Sequence, residues 1–412
     1  MEKRNFVRLK GDFNMSKFDD MITGLQQDIE VPERVWAKYT DTLSNLPDRR
    51  EDICSNFPDK EEKRPYLSFS QKRTWPVATA ATLALCTISV SAAAYLHWSK
   101  GLQESLQVTA EQQKTLEENQ MSSYVGQSVT QGDVTVTAQQ CIVDNYFAHL
   151  SFKVEGYEVE DGQQPGFSDA IITVGDEEDY TGGWTASFYD GLIPGMDGKA
   201  IHADDGTPLT EDETISYTME DGSLEFHVEM MSDLRGAFLN KPIHVELKDL
   251  GIYGGKAEDV VVGAKGDWSF DWVLAGSDQM KQVELDAPLG DSGATVVQAE
   301  ISPISVSVTY DFPRQEETEI AVDENGEESV HTTFKEAPSF TGVRLKDGTI
   351  YTGISGAGVT WYESEDSEQY RDISALQRVI DVDQVESLLF VKSYPEGAQM
   401  LGEDNLYFVP VE

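Results

Sequence analysis

The chain has 412 residues, with 31 Lys+Arg against 74 Asp+Glu and a formal net charge of −43. Residues 1–74 hold 14 bases and 14 acids, so the rest carries the entire excess, 17 bases against 60 acids. A body with that balance repels nucleic acid and anionic lipid, which excludes DNA binding by the large part. The acidity reads as solubility in a cation-rich exterior, with dedicated calcium sites as the alternative.

Residues 1–15 show no periodicity and are expected to be disordered; Met15 is an alternative natural start. Ser16 and Asp19 have the spacing of a capping box, and Phe18, Met21, Ile22 and Leu25 then recur at helical spacing. Pro32 opens a second helix whose stripe is Trp36, Tyr39, Leu43 and Leu46, and Pro47 stops it. Residues 16–47 are therefore a helical hairpin with two apolar stripes. Either the stripes pack on each other or they wait for a partner. Trp36 and Tyr39 suit docking, because large rings contribute contact area at low entropy cost. The predicted partner-binding residues are Phe18, Met21, Ile22, Leu25, Trp36, Tyr39 and Leu43. Residues 48–74 are charged and Pro-interrupted, as in a linker.

From Trp75 to Leu96 the chain has 22 residues without a charge. As a helix they reach roughly 33 Å, enough for a hydrocarbon core of about 30 Å. Residues 75–97 are thus predicted to be one transmembrane helix. Lys60, Lys63, Arg64, Lys72 and Arg73 precede it closely, while only Lys100 stands in 99–113. The positive-inside rule places the tail in the cytoplasm and residues 98–412 outside the cell membrane. Ala92, Ala93 and Ala94 satisfy a signal-peptidase pattern, but the polar tail ahead of them is too long for a secretory signal. Of the 19 residues Pro76–Ala94, 12 are Ala, Ser or Thr, so the span is a modest anchor, a dimerising helix or a substrate for intramembrane cleavage.

Residues 98–122 are polar, with Leu102, Leu106, Val108 and Leu116 the bulky aliphatics, and read as a partly helical stalk. Strand patterning begins at Val125. Residues 133–137 alternate strictly, Asp144-Asn145 makes a turn, and residues 146–154 return as a hairpin. Further strands are expected at 170–174, 184–188, 223–230, 244–250 and 267–274, with Gly/Asp-rich loops at 156–182 and 190–216. Trp268, Phe270 and Trp272 share one face of the last strand and belong to a core rather than to a ligand platform.

A second set starts near Gln282, with strands at 294–301, 304–310, 342–345, 349–352, 386–392 and 406–411, a turn at 323–326 and a tight turn at 346–348. The expected fold is mainly β: two immunoglobulin-like sandwiches in series, 123–280 and 281–412.

No chemistry stands out. The six histidines form no H-E-x-x-H, and three cysteines form no C-x-x-C. Cys141 stands alone outside, so no intrachain disulfide forms there. Gly353–Gly358 fits neither G-x-S-x-G nor G-x-G-x-x-G and reads as a loop. The acidic runs at 176–179 and 204–205 lack calcium-loop spacing. The expectation is no enzyme, no cofactor and no metal.

Four strings together carry a resemblance: FDDMI…DIEVPERVWAKYTDTLSNLP in the tail, GDVTVTAQQCIVDNYFAHLSFKVEGYE after the span, the G-x-W-x-F at Gly266–Phe270, and ISPISVSVTY. The chain resembles single-pass proteins of Gram-positive bacteria with an ectodomain of unknown function followed by an immunoglobulin-like domain. Such proteins look like membrane-bound anti-sigma factors. The resemblance implies a tail that sequesters a sigma factor or other cytoplasmic regulator and a head that perceives the envelope through an unknown extracellular ligand. The tail departs from the zinc type of anti-sigma factor, having no histidine and only Cys54. The competing reading is a cell-surface binding or adhesion protein with the tail as a mere anchor.

Overall fold

The computed structural model describes residues 98–175, 182–195, 199–210, 212–254, 260–322, 328–364, 367–394 and 401–411. The expected tail, linker and transmembrane helix, with all seven predicted partner-binding residues, lie outside them. So does the predicted turn at 323–326. Among the described residues no helix is long and apolar enough to cross a membrane.

Two short helices come first, α1 (Lys100–Ser105) and α2 (Ala110–Glu118). Ser99 caps α1 through its side chain, and Thr109 with Gln112 forms a capping box on α2. The β-rich body follows. Strands β1 (Ser122–Gln131), β2 (Val134–Val143) and β3 (Phe147–Glu155) form a meander, and β4 (Pro165–Val174) crosses to a second sheet. Then come β5 (Gly182–Phe188), a small hairpin of β6 (Leu192–Pro194) and β7 (Ala200–His202), β8 (Leu224–Ser232), β9 (Pro242–Tyr253) and β10 (Val260–Val273). One sheet has the order β1-β2-β3-β8-β5 and the other β10-β9-β4.

Period-two alternation builds this sandwich. On β2, Val134, Val136 and Ala138 are buried while Thr135 and Thr137 are not. Trp268, Phe270 and Trp272 on β10 all enter the shared core, where Phe152 lies 5.5 Å from Phe270 and 6.2 Å from Trp272.

The second sandwich contains β11 (Lys281–Pro288), β12 (Thr295–Ile301), β13 (Ser305–Asp311), a hairpin of β14 (Glu316–Val322) and β15 (Glu328–Phe334), β16 (Phe340–Leu345), β17 (Ile350–Thr352), β18 (Ser355–Tyr362), β19 (Gln369–Leu376), β20 (Val385–Val391) and β21 (Leu406–Pro410). Its sheets are β11-β12-β13-β19-β18 and β17-β16-β20-β21, closed on a core with Val308, Tyr310, Phe312 and Phe390.

The two sandwiches share one topology. In each, three strands form a meander, the fourth crosses, an edge strand and its neighbour complete the first sheet, and two final strands return to the second. Thus β4 corresponds to β16, β5 to β18, β8 to β19, β9 to β20 and β10 to β21, with every pairing antiparallel.

With β1 and β11 as added edge strands, this order matches the immunoglobulin-like expectation. Such a domain sets strands A-B-E-D against C-F-G; here β2-β3-β8-β5 faces β4-β9-β10, and β12-β13-β19-β18 faces β16-β20-β21. Three readings change. Residues 353–358, expected as a loop, turn at Gly353 (φ +67°) and then enter strand β18. The loop segments 156–182 and 190–216 contain the whole of β4 and the β6–β7 hairpin. β19, interrupted by Arg371 and Asp372, has no clear sequence pattern yet sits between β13 and β18.

The fourth difference is the largest. Residues 98–122 do not form a free stalk. Leu102, Leu106, Val108, Leu116 and Met121 are buried in a third core, together with Ile142, Tyr146 and Phe147 from the first sandwich and Ile304, Ile373, Ala375 and Val379 from the second. Burying each such side chain contributes about 1.5–3 kcal/mol. Short helices of this length do not persist alone in water; the two sandwich surfaces hold them.

Candidate functional site: the junction around residues 98–122

The described chain enters at Trp98, and the segment it enters by is held on both sides. Toward the first sandwich, the backbone amide of Ser99 donates to Oε1 of Gln140 (3.0 Å), and the amide of Val143 donates to the carbonyl of Met121 (2.9 Å). Toward the second, the amide of Val379 donates to the carbonyl of Leu106 (2.8 Å), and Nε2 of Gln112 donates to the carbonyl of Val379 (2.9 Å). Nε1 of Trp98 donates to Glu117 at 2.6 Å, tying the entry point to α2.

Glu225 on β8 is the centre of the clasp. Its carboxylate accepts from the backbone amides of Gly101 and Leu102, both at 3.0 Å, and from the hydroxyls of Ser99 and Ser151. Nε2 of His227, two residues along the strand on the same face, lies 2.8 Å away. Burial alone would raise the Glu225 pKa. The His227 ring, the Ser99 hydroxyl and the Gly101 amide outweigh it and hold the carboxyl down at about 2. The group is therefore an ionised carboxylate inside protein, satisfied by donors rather than by water.

Tyr189 closes the clasp. Its ring stacks on His227 with centroids 5.5 Å apart, and its hydroxyl donates to Glu104 on α1 at 3.1 Å. Burial, together with the neighbouring acids Glu104, Asp190 and Glu225, raises its pKa. Gly101 is required by this closeness. A Cβ there would lie 2.8 Å from Cδ1 of Tyr189 and 2.9 Å from Cδ of Glu225.

A second polar cluster joins the sandwiches directly. Asp144, fully buried in the β2–β3 turn, accepts from the amides of Tyr146 and Phe147 (2.8 Å each) and from the hydroxyls of Ser302 and Ser305 in the β12–β13 turn. The Tyr146 hydroxyl donates to Glu300 at 2.7 Å, and Glu300 also receives Nε of Arg235 (3.4 Å) and Nε2 of Gln282 (2.9 Å). Burial and the Glu300 carboxylate both raise the Tyr146 pKa, so its proton stays on. Equivalent turns of two like sandwiches thus face each other, one offering a carboxylate and the other hydroxyls.

A polar cleft of about 300 Å³ lies beside the end of α2, lined by Glu118, Asn119, Gln120, Asn240, Ser277 and Asp278 among others. Among the described residues no group of three or more His, Cys, Asp or Glu is placed to hold a metal ion. The junction does not bring a nucleophile, a base and a cleft together among the described residues. Its chemistry is that of a mechanical tie: three buried carboxylates, Glu225, Asp144 and Glu300, each fixing a distant segment.

Sequence reasoning drew attention to none of these residues as a site. Glu225 is one of 74 acids, and nothing local distinguishes it. The sole cue was Leu102, Leu106 and Leu116 in a polar stretch, which required the partner surface to interpret.

Residues 70–156 match a family described as a domain of unknown function, DUF4179. That is less than half of the chain. Within the described residues the matched segment comprises α1, α2 and the β1–β2–β3 meander. It is not self-contained, since Ser99 and Gly101 need Glu225, and Asp144 needs Ser302 and Ser305. No curated protein matches the chain. Among solved structures, a conserved domain protein from Bacillus anthracis is 14% identical over 67% of this chain and 79% of its own, with a TM-score of 0.37. The C-terminal domain of the Streptococcus agalactiae AgI/II polypeptide BspA is 10% identical over 60% of this chain and 88% of its own, with a TM-score of 0.10. At those scores neither bears on fold or function.

Proposed function

We propose that the chain is a membrane-anchored extracytoplasmic sensor of the anti-sigma-factor kind. Its tail, through Phe18, Met21, Ile22, Leu25, Trp36, Tyr39 and Leu43, holds a cytoplasmic sigma factor or comparable regulator, and its acidic β-rich head perceives the envelope. The observation that carries this reading is the burial of residues 98–122 between the two sandwiches. The residues that continue directly from the proposed span are part of the head's own core. A ligand that changes how the sandwiches meet at Asp144 and Glu300 therefore acts on the segment leading to the span, in the manner of a two-state interface. Charge distribution and the positive flank of residues 59–73 support the orientation.

Affinity purification of the full chain from its own membranes, beside a Trp36→Ala variant, tests this. The expected result is a sigma factor or other transcriptional regulator recovered with the unaltered chain and lost with the variant. Recovery of neither, or no difference between the two, contradicts it.

The second reading, a surface binding or adhesion module, is favoured by the uncharged edge strands β5 and β18. Deleting residues 16–47 separates the two: unchanged transcription with retained surface binding supports adhesion.

A further inference from the structure

A cleft of about 70 Å³ opens where three parts of the head meet. Gln107, just past α1, forms one wall. Pro194 and Ile201 of the β6–β7 hairpin bring the first sandwich to it, and Tyr351, Thr352, Gln377 and Arg378 bring the second. Backbone turns shape it. Gln107 takes φ +49° at the end of α1, and Gly353 takes φ +67° between β17 and β18.

Arg378 sets this cleft apart. In a chain with a net charge of −43, guanidinium groups readily find acids: Arg235 meets Glu300 at 3.4 Å, Arg344 meets Glu386 at 3.0 Å and Arg371 meets Glu363 at 3.7 Å. Arg314 is exposed to water and donates to the carbonyl of Ser364 at 3.2 Å. Arg378 is half-buried, and among the described residues it makes neither an ion pair nor a hydrogen bond; the Tyr351 ring lies 3.9 Å from its guanidinium carbon. Burial lowers its pKa, while Tyr351 opposes the shift. Such a cation has given up part of its hydration with no acceptor in exchange. The side-chain amides of Gln107 and Gln377 and the hydroxyl of Thr352 also make no hydrogen bond among the described residues, so the same cleft offers uncharged donors beside the cation.

We propose that this cleft binds a small carboxylate, with the Arg378 guanidinium holding both carboxylate oxygens. The planar fork of an arginine matches that group bidentately. Size sets one limit: at about 10–15 Å³ for each water-sized group, the cleft takes roughly five such groups. Charge sets another, because the acidic head repels a doubly charged phosphate more than a singly charged carboxylate. Pro194, Ile201 and the Tyr351 ring suit a short hydrocarbon body. The position has a consequence for the junction. The carbonyl of Leu106 and the amide of Val379, next in sequence to Gln107 and Arg378, are hydrogen-bonded at 2.8 Å. An occupant touching Gln107 and Arg378 adds a second tie between the entry segment and the second sandwich. Binding here goes beyond the sensor reading and needs neither the tail nor its partner, so the two fail separately.

The test titrates the full chain in detergent micelles with sodium propionate, propionamide and inorganic phosphate, at one ionic strength held with sodium chloride, and reads binding by ligand-detected NMR. Three variants accompany it. Arg378→Gln removes the fork, Gln377→Glu keeps Arg378 but sets a carboxylate in the cleft, and Arg314→Gln removes an exposed guanidinium elsewhere. Propionate is expected to bind the unaltered chain and Arg314→Gln alike. Propionamide and phosphate are expected to bind at least ~tenfold more weakly, and Arg378→Gln and Gln377→Glu to lose at least ~tenfold for propionate. Unchanged thermal unfolding shows that the variants fold; should Arg378→Gln fail to fold, Gln377→Glu decides. No propionate binding, equal binding of propionamide, or undiminished binding by Gln377→Glu overturns the proposal. Phosphate binding more tightly than propionate overturns the choice of a carboxylate.

Discussion

Glu225 accepts a hydrogen bond from the backbone amide of Gly101 at 3.0 Å across 124 residues of sequence. This contact closes the chain's entry segment onto a strand near the middle of the first sandwich. Because Ser99, Leu102 and Ser151 share the same carboxylate, removing it leaves several buried donors without a partner. Glu225→Ala should cost about 3–5 kcal/mol, the range for deleting one side of a buried charged cluster. Denaturant unfolding measures it, and limited proteolysis should show new cleavage within 98–122.

The same carboxylate sets an acid limit. Its folded pKa, about 2, lies below the ordinary 4.5. Its contribution is fully present above pH 4.5 and is lost as pH falls from there toward 2. Thermal unfolding across that window should show a shallower acid dependence in Glu225→Gln than in the unaltered chain.

His149 adds a second, milder limit. Burial holds its pKa below 6.5, while Glu229, with an oxygen 3.8 Å from Nδ1, and Asp144 pull the other way and His227 reinforces burial. Above pH 6.5 folded and unfolded chains both carry it neutral. Below that the unfolded chain binds a proton that the folded one refuses, so stability falls with pH. His149→Leu should flatten the stability–pH slope between about 6.5 and 5, measured by urea unfolding at a series of pH values.

Tyr146 and Glu300 couple the two sandwiches. Tyr146→Phe should cost about 1–3 kcal/mol, because it deprives a buried carboxylate of its short donor. Glu300→Gln in the same background should add less than it costs alone, a non-additivity expected of direct partners. A double-mutant cycle on chemical unfolding reads this out.

The sequence showed some of this well and some not at all, for physical reasons. Trp268, Phe270 and Trp272 were legible because one sheet face is buried and the other wet, which writes a period of two into the chain. Gly353–Gly358 does not read as a strand because glycine usually marks turns, whereas in β18 Gly358 lies so close to β19 that a Cβ would meet the Ile373 carbonyl oxygen at 2.7 Å. Leu102 and Leu106 were misread because their helix ends at once, Gln107 taking φ +49°, so no long periodicity forms. Their partners Ile142, Tyr146 and Ile373 lie far along the chain, and local pattern carries no trace of them. The immunoglobulin-like expectation matches the strand order, in which β1 and β11 are extra edge strands.

Amide hydrogen exchange on the full chain tests the central claim most directly, namely that residues 98–121 belong to the folded junction. Leu102, Leu106, Val108, Leu116 and Met121 are predicted to exchange as slowly as the neighbouring residues of β2 and β3, and to lose that protection in Glu225→Ala. Exchange of these amides at the rate of a free chain, while β2 and β3 remain protected, would contradict the account.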